Sequence, residues 1–218
     1  MSSSIRCVPA ILTDDAIDLG KMVQLTENFT DFAQFDIMDG RFVPSQSVSC
    51  EQIASLRPKI SWEAHLMVLH PETYLEDFKQ AGAQKIVFHY EASPSPEQVI
   101  SQIKKLGLLA GLAINPETPN EAFRHLLDEL DSVLFLSVNP GFYGAKFIPE
   151  VLDKIRQFRK AHVRMEIGID GGVKENNIVQ IAETGVNVIY IGSAIFMQPD
   201  PADAYRRLIR LAEAYTPL

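Results

Sequence analysis

Cysteine is nearly absent: Cys7 and Cys50 are the only two in 218 residues, too few for a disulfide framework. Basic residues are in short supply as well. Lys+Arg number 20 against 28 Asp+Glu, a formal net charge of −8, which argues against a nucleic-acid or membrane-surface partner. No apolar run approaches the roughly 20 residues needed to cross a bilayer. The N-terminal Met1-Ser2-Ser3-Ser4-Ile5-Arg6-Cys7 has no basic stretch leading into an apolar core, so no secretion signal is expected. What remains is an ordinary globular composition, 46% hydrophobic and 22% charged, which excludes disorder and fibrous repeats. The expectation is a soluble, cytoplasmic chain folded as one domain over 1–218.

Apolar runs of strand length alternate with amphipathic stretches of helix length. The candidate strands are 7–12, 32–37, 62–67, 85–89, 108–114, 131–138, 164–169 and 187–191. Helical patterns fall at 15–27, 48–57, 71–81, 96–106, 119–127, 147–160, 174–184 and 202–214. Pro71-Glu72, Pro96-Glu97 and Asp200-Pro201 open three of them, as first helical turns prefer. Parallel neighbours need a crossover connection, so this alternation predicts a parallel sheet. Eight strands in so short a chain close most economically as an α/β fold of the (β/α)8 TIM-barrel type. An open doubly wound sheet is the rival, but no G-x-G-x-x-G follows the first strand.

Both faces of such strands are buried, so a polar side chain within one needs a reason. Side chains at i and i+2 share a face, which places Gln34 with Asp36, and Glu63 with His65 and Met67. The strand at 164–169 runs into Asp170-Gly171-Gly172. Asp36, His65 and Asp170 therefore stand near the C-terminal ends of three strands, where barrel enzymes keep their chemistry. An isolated acid before Gly-Gly is a common turn former, and a lone strand histidine is usually a satisfied core residue. Three together at one barrel mouth read better as a site. Asp39 before Gly40 reads as a turn residue; His70, His125 and His162 fall in loop or helix patterns and carry no assigned role.

Three late strands end in glycine-bearing turns: Asn139-Pro140-Gly141-Phe142-Tyr143-Gly144, Asp170-Gly171-Gly172 and Gly192-Ser193-Ala194. Glycine lets backbone N–H groups approach an anion, and barrels often bind phosphate with the loops after strands seven and eight. The 139–149 segment is long enough to act as a lid. Two carboxylates across a small phosphorylated substrate suit proton removal beside a carbonyl and its return on the opposite face. Their pKa values must then be held apart, and a nearby cation would stabilise the enediolate.

The chain resembles the ribulose-phosphate 3-epimerase family almost end to end. The resemblance is carried by Phe35-Asp36-Ile37-Met38-Asp39-Gly40-Arg41-Phe42-Val43-Pro44, by His65-Leu66-Met67-Val68 with Pro71, and by Asn115-Pro116-Glu117-Thr118-Pro119. Ser137-Val138-Asn139-Pro140-Gly141-Phe142, Asp170-Gly171-Gly172-Val173 and Gly192-Ser193-Ala194-Ile195-Phe196 continue it. It implies a barrel of the ribulose-phosphate-binding type that interconverts D-ribulose 5-phosphate and D-xylulose 5-phosphate in the pentose phosphate pathway. The implied cofactor is a divalent metal: zinc, iron, manganese or magnesium. By this resemblance Asp36 and Asp170 are the acid/base pair and join His65 around the metal, with His65 also against substrate. Gly141, Phe142, Tyr143, Gly144, Gly171, Gly172, Gly192 and Ser193 hold the phosphate end. The implied partners are a small sugar phosphate and further copies of the chain.

Four positions depart from the family. Gln34 replaces a metal-binding histidine, which weakens a zinc site and leans towards oxygen-preferring magnesium or manganese, or no metal. Ala10 replaces a substrate-contacting serine, and Tyr143 with Ala145 alter the lid. Leu136 replaces a methionine, a swap that packing tolerates. Two alternatives follow: an epimerase of another ketose phosphate, such as D-allulose 6-phosphate, or a non-catalytic sugar-phosphate-binding relative with an incomplete metal site.

Overall fold

The computed structural model describes residues 5–141 and 144–214. Eight parallel strands close into a barrel in chain order: β1 Arg6–Ile11, β2 Phe32–Met38, β3 Ser61–Met67, β4 Lys85–His89, β5 Leu109–Ile114, β6 Ser132–Leu136, β7 Glu166–Asp170 and β8 Val188–Ile191. The expected barrel is therefore the observed one. The helices are α1 Ala16–Thr26, α2 Cys50–Leu56, α3 Leu75–Ala81, α4 Pro96–Lys105, α5 Val151–Ala161, α6 Ile178–Ala182, α7 Ser193–Phe196 and α8 Pro201–Glu213. Polar side chains start several of them. Asp15 accepts from the N–H groups of Ile17 and Asp18 at 2.7 and 2.9 Å, and Ser49 forms a reciprocal capping box with Gln52. Among the described residues, no helix is long and apolar enough to cross a membrane.

Alternation along the strands builds two cores. Outward-facing residues such as Ala33, Phe35, Trp62 and Ile86 pack under the helices. Phe35 and Trp62 meet there edge to face, with centroids 5.2 Å apart. Inward-facing Val8, Ala10, Val87, Ala113, Leu134, Leu136, Val188 and Tyr190 fill the barrel itself. The floor of that interior is ionic. Lys85 Nζ, almost fully buried, lies 3.3 Å from Glu63 Oε2 and 3.2 Å from Glu166 Oε1, and Arg6 reaches Glu166 Oε2 at 2.7 Å. Pairing is what allows these charges inside the barrel.

Several connections differ from the expected helices. The stretch expected as a helix at 119–127 is a 3-10 helix over Asn120–Glu129. Its buried Phe123 and Leu126 recur every third residue, the spacing that stacks along one edge of the tighter coil. α5 starts at Val151 rather than 147, because Pro149 disfavours a helical Ile148, whose N–H instead donates to Ser137 O at 2.8 Å. α6 shrinks to five residues. The Asn177 side chain there takes the N–H of Lys174 and donates to Gly172 O, competing with a longer helix. Pro71–Thr73 forms a 3-10 turn before α3.

Candidate active site

Register decides which side chains meet. Strands β2 and β3 pair Gln34 with Glu63 and Asp36 with His65, so Asp36 and His65 face the interior at one level. Asp170 ends β7, paired with Leu136 of β6. Ser137 fixes that end: its Oγ donates to the carbonyls of Asp170 and Gly171 at 2.9 and 2.7 Å. The three expected ligands thus converge. One donor atom from each of Asp36, His65 and Asp170 lies within 4.8 Å of the others.

Gln34 stands beneath them, fully buried, and joins the two carboxylates. Its Nε2 donates to Asp36 Oδ1 and to Asp170 Oδ2, each at 2.9 Å, while its Oε1 has no partner among the described residues. His65 Nδ1 is 2.9 Å from Asp36 Oδ1 and 3.6 Å from Asp170 Oδ2. Burial pushes the Asp36 carboxyl up to about 8, against the hydrogen bond from Gln34 and with some help from the charge of Glu63. Burial and the charge of Asp36 push Asp170 up to about 7, against His65 and Gln34. Burial lowers His65, so the imidazole is neutral and able to act as a ligand. A largely buried set of two carboxylates and one imidazole, beside an amide oxygen without a partner among the described residues, fits a divalent cation by the chemistry of its donors.

The expected glycine turns line the same cavity. Gly171, Gly172, Gly192 and Ser193 form one wall, and Gly141 and Gly144 border it. Gly171 adopts φ 109°, and a Cβ there would come within 2.5 Å of Val138. Gly172 adopts φ 64°, with a Cβ position 3.0 Å from Phe147. Only glycine lets the chain turn here and still close on the cavity. Ala10, Met38, Met67 and Leu136 supply apolar lining. Phe142 and Tyr143 lie outside the described residues.

Asp39 is a turn residue as read: its Oδ1 accepts from the N–H groups of Arg41 and Phe42, and its Oδ2 from that of Leu69. His70 and His125 are exposed and away from the cavity. Three residues beside the site were not foreseen: His89, Glu91 and Ser137. His89 carried the same signal as His65, an inward polar residue at a strand's C-terminal end, with Glu91 two residues on.

Comparison with known proteins agrees with this geometry. The model of the ribulose-phosphate 3 epimerase family matches residues 6–196. The chain is 42% identical over 213 residues to ribulose-phosphate 3-epimerase from Synechocystis sp., covering 94% of this chain and 93% of that one. It is 39% identical over 211 residues to the Escherichia coli protein of the same name, covering 92% and 91%. Among solved structures, 3-hexulose-6-phosphate synthase from Salmonella typhimurium superposes with a TM-score of 0.72 at 16% identity, over 95% of this chain and 98% of that one. Orotidine 5'-phosphate decarboxylase from Pyrococcus horikoshii gives 0.67 at 14% identity, over 94% and 98%. At such identities those likenesses show the barrel fold alone. The sequence matches go further: the chain belongs to the ribulose-phosphate 3-epimerase family and is an enzyme of the isomerase class.

Proposed function

We propose that this protein interconverts D-ribulose 5-phosphate and D-xylulose 5-phosphate, with Asp36 and Asp170 exchanging the proton at C3. The observation that carries the reading is the pair of buried carboxylates held 2.9 Å from a single amide nitrogen. Inversion beside a carbonyl needs a base on one face of the carbon and an acid on the other. With both groups displaced upward, to about 8 and about 7, the pair retains a proton near neutral pH. The ionised member takes the C3 proton, the protonated member delivers one from the opposite side, and between these steps the substrate is an enediolate. Each aspartate is the base for one epimer and the acid for the other.

Asp36, His65 and Asp170 would hold a divalent cation, and Gln34 would add an oxygen donor once its amide turned over to bring Oε1 where Nε2 now faces the two carboxylates. When bound, the ion supplies positive charge beside the enediolate oxygens. The oxygen-rich set favours manganese or magnesium over zinc. Gly171, Gly172, Gly192 and Ser193 place backbone around the substrate's phosphate, with Gly141 and Gly144 at the rim.

Deuterium exchange at C3 of ribulose 5-phosphate in D2O tests the reading. Asp36→Asn and Asp170→Asn should each lose exchange and epimerisation by at least about 10³-fold while keeping the wild-type circular dichroism spectrum. An active, folded Asp36→Asn protein would overturn the assignment. A kcat/KM higher on a six-carbon ketose phosphate would replace the substrate but keep the chemistry.

A further inference from the structure

The glycine turn after β7 is held from outside the cavity by one hydroxyl. Leu136, the last residue of β6, and Val138 line the cavity; Ser137 between them does not, and is fully buried. The Ser137 backbone ties two segments to β6. Its N–H donates to Asp170 O at 2.7 Å, and its carbonyl accepts from Ile148 N at 2.8 Å. Its Oγ has a single hydrogen to give, and two carbonyls lie within reach of it: Asp170 O at 2.9 Å and Gly171 O at 2.7 Å.

These contacts hold the successive peptides of the turn unequally. Asp170 O keeps the Ser137 N–H with or without the hydroxyl, and Gly172 O accepts from Asn177 Nδ2 at 3.0 Å. Between them, Gly171 O has the Ser137 hydroxyl as its only donor among the described residues. The C=O and N–H of a trans peptide point in opposite directions, and the turn contains no cis peptide. Gly171 O turned out to Ser137 therefore turns the Gly172 N–H inward, and Gly172 is part of the cavity wall. That N–H has no acceptor among the described residues. A flip of this peptide would rotate ψ of Gly171 and φ of Gly172, now 64°, and neither residue has a Cβ to oppose it. After such a flip a carbonyl oxygen, not an N–H, would face the cavity.

We propose that Ser137 is a positioning residue whose hydroxyl locks the Gly171–Gly172 peptide with its N–H towards the cavity, where the substrate's phosphate meets it. The inference rests on the phosphate placement given above, and it assigns part of that grip to a side chain that never touches the anion. The backbone hydrogen bond from Ser137 to Asp170 survives loss of the hydroxyl, so the effect falls on phosphate binding rather than on proton transfer.

Ser137→Ala removes the hydroxyl and keeps both backbone hydrogen bonds. In the holoenzyme, its KM for ribulose 5-phosphate and its inhibition constant for inorganic phosphate should both rise about 10- to 100-fold, with kcat within about threefold of wild type. The crystal structure of the variant should show the Gly171–Gly172 peptide turned over. A folded Ser137→Ala protein that binds inorganic phosphate within about twofold of wild type overturns the proposal. So does one in which kcat falls while phosphate affinity stands, the mark of a merely structural role. If Ser137→Ala does not fold, the Gly172 amide proton of the wild type carries the test by NMR. It should move downfield as inorganic phosphate is added, and an unmoved resonance in phosphate-saturated protein overturns the proposal. A wild type in which inorganic phosphate does not compete with substrate would overturn the phosphate placement itself, and the role of Ser137 with it.

Discussion

Gln34 Nε2 lies 2.9 Å from Asp170 Oδ2, so a residue midway along β2 reaches across the barrel to the last residue of β7. The same nitrogen serves Asp36 Oδ1, and the amide points its donor group at the position a cation would share. Two buried carboxyls repel once both are ionised. The amide lets them stand together in the metal-free protein, and it does so with the wrong polarity for a cation.

Replacing that amide by an imidazole should therefore strengthen metal binding. For Gln34→His, chelator competition should show at least about a 10-fold gain in zinc affinity, because a second nitrogen ligand suits a softer ion. kcat/KM with zinc should rise alongside. Unchanged zinc affinity in a folded Gln34→His protein would mean that position 34 does not face the ion.

The displaced carboxyl of Asp36 also makes a stability prediction. Unfolded, an aspartate titrates near 3.9; folded, Asp36 is pushed up to about 8. Between those values the folded state holds the extra proton, so stability contributed here falls as pH rises, until the loss is complete above about 8. Buried His65 and His89 act in the opposite sense, but their contribution is lost only as pH falls below the ordinary histidine value. From pH 6.5 to 8.5 the aspartates dominate. Metal-free Asp36→Asn should thus be more stable than metal-free wild type at pH 8.5, by roughly 1–3 kcal/mol in urea unfolding. Parallel pH profiles for the two proteins would refute the displacement.

Much of this was legible because a barrel strand has few excuses for polarity. Asp36, His65 and Asp170 stood out as polar residues at strand ends, and the closed sheet brings all three to one mouth. His89 passed unnoticed although it obeys the same rule, because nothing in a lone strand reveals that the neighbouring strand sets a second histidine 3.0 Å away. The ionic floor of Glu63, Lys85 and Glu166 was hidden for the same reason, since pairing across β3, β4 and β7 is a product of closure. Helix boundaries failed where side chains compete for backbone groups, as Asn177 does ahead of α6. The amide orientation of Gln34 follows from two distant carboxylates and has no local signature.

Metal removal separates stability from chemistry. Dialysis against a chelator should abolish C3 exchange, and Mn2+ or Mg2+ should restore it. Re-addition at about 100 times the dissociation constant should stabilise the fold by about 2.7 kcal/mol, seen as a rise in Tm. At one fixed ion concentration the rise should be larger at pH 8.5 than at pH 6.5, where the carboxyls still hold protons that the ion must displace. Full exchange activity after exhaustive chelation would show that the two aspartates act without an ion.

Gly171 links backbone strain to catalysis. It sits at φ 109°, its Cβ position lies 2.5 Å from Val138 Cγ2, and its carbonyl accepts from Ser137 Oγ at 2.7 Å. An alanine must move either Val138 or the turn itself, and the turn carries Asp170. Gly171→Ala should cost about 1–3 kcal/mol of stability and lower kcat/KM by about 10²-fold, because shifting Asp170 spoils its alignment with the carbon it serves. Gly107→Ala, between α4 and β5 and away from the cavity, is the matched control: φ is 73°, yet nothing lies within 4 Å of its Cβ position. That variant should show only the backbone cost of roughly 1 kcal/mol. Equal losses in the two proteins would trace the effect to positive φ alone, whereas a larger loss at Gly171 locates it in the contact with Val138 and the displaced carboxylate.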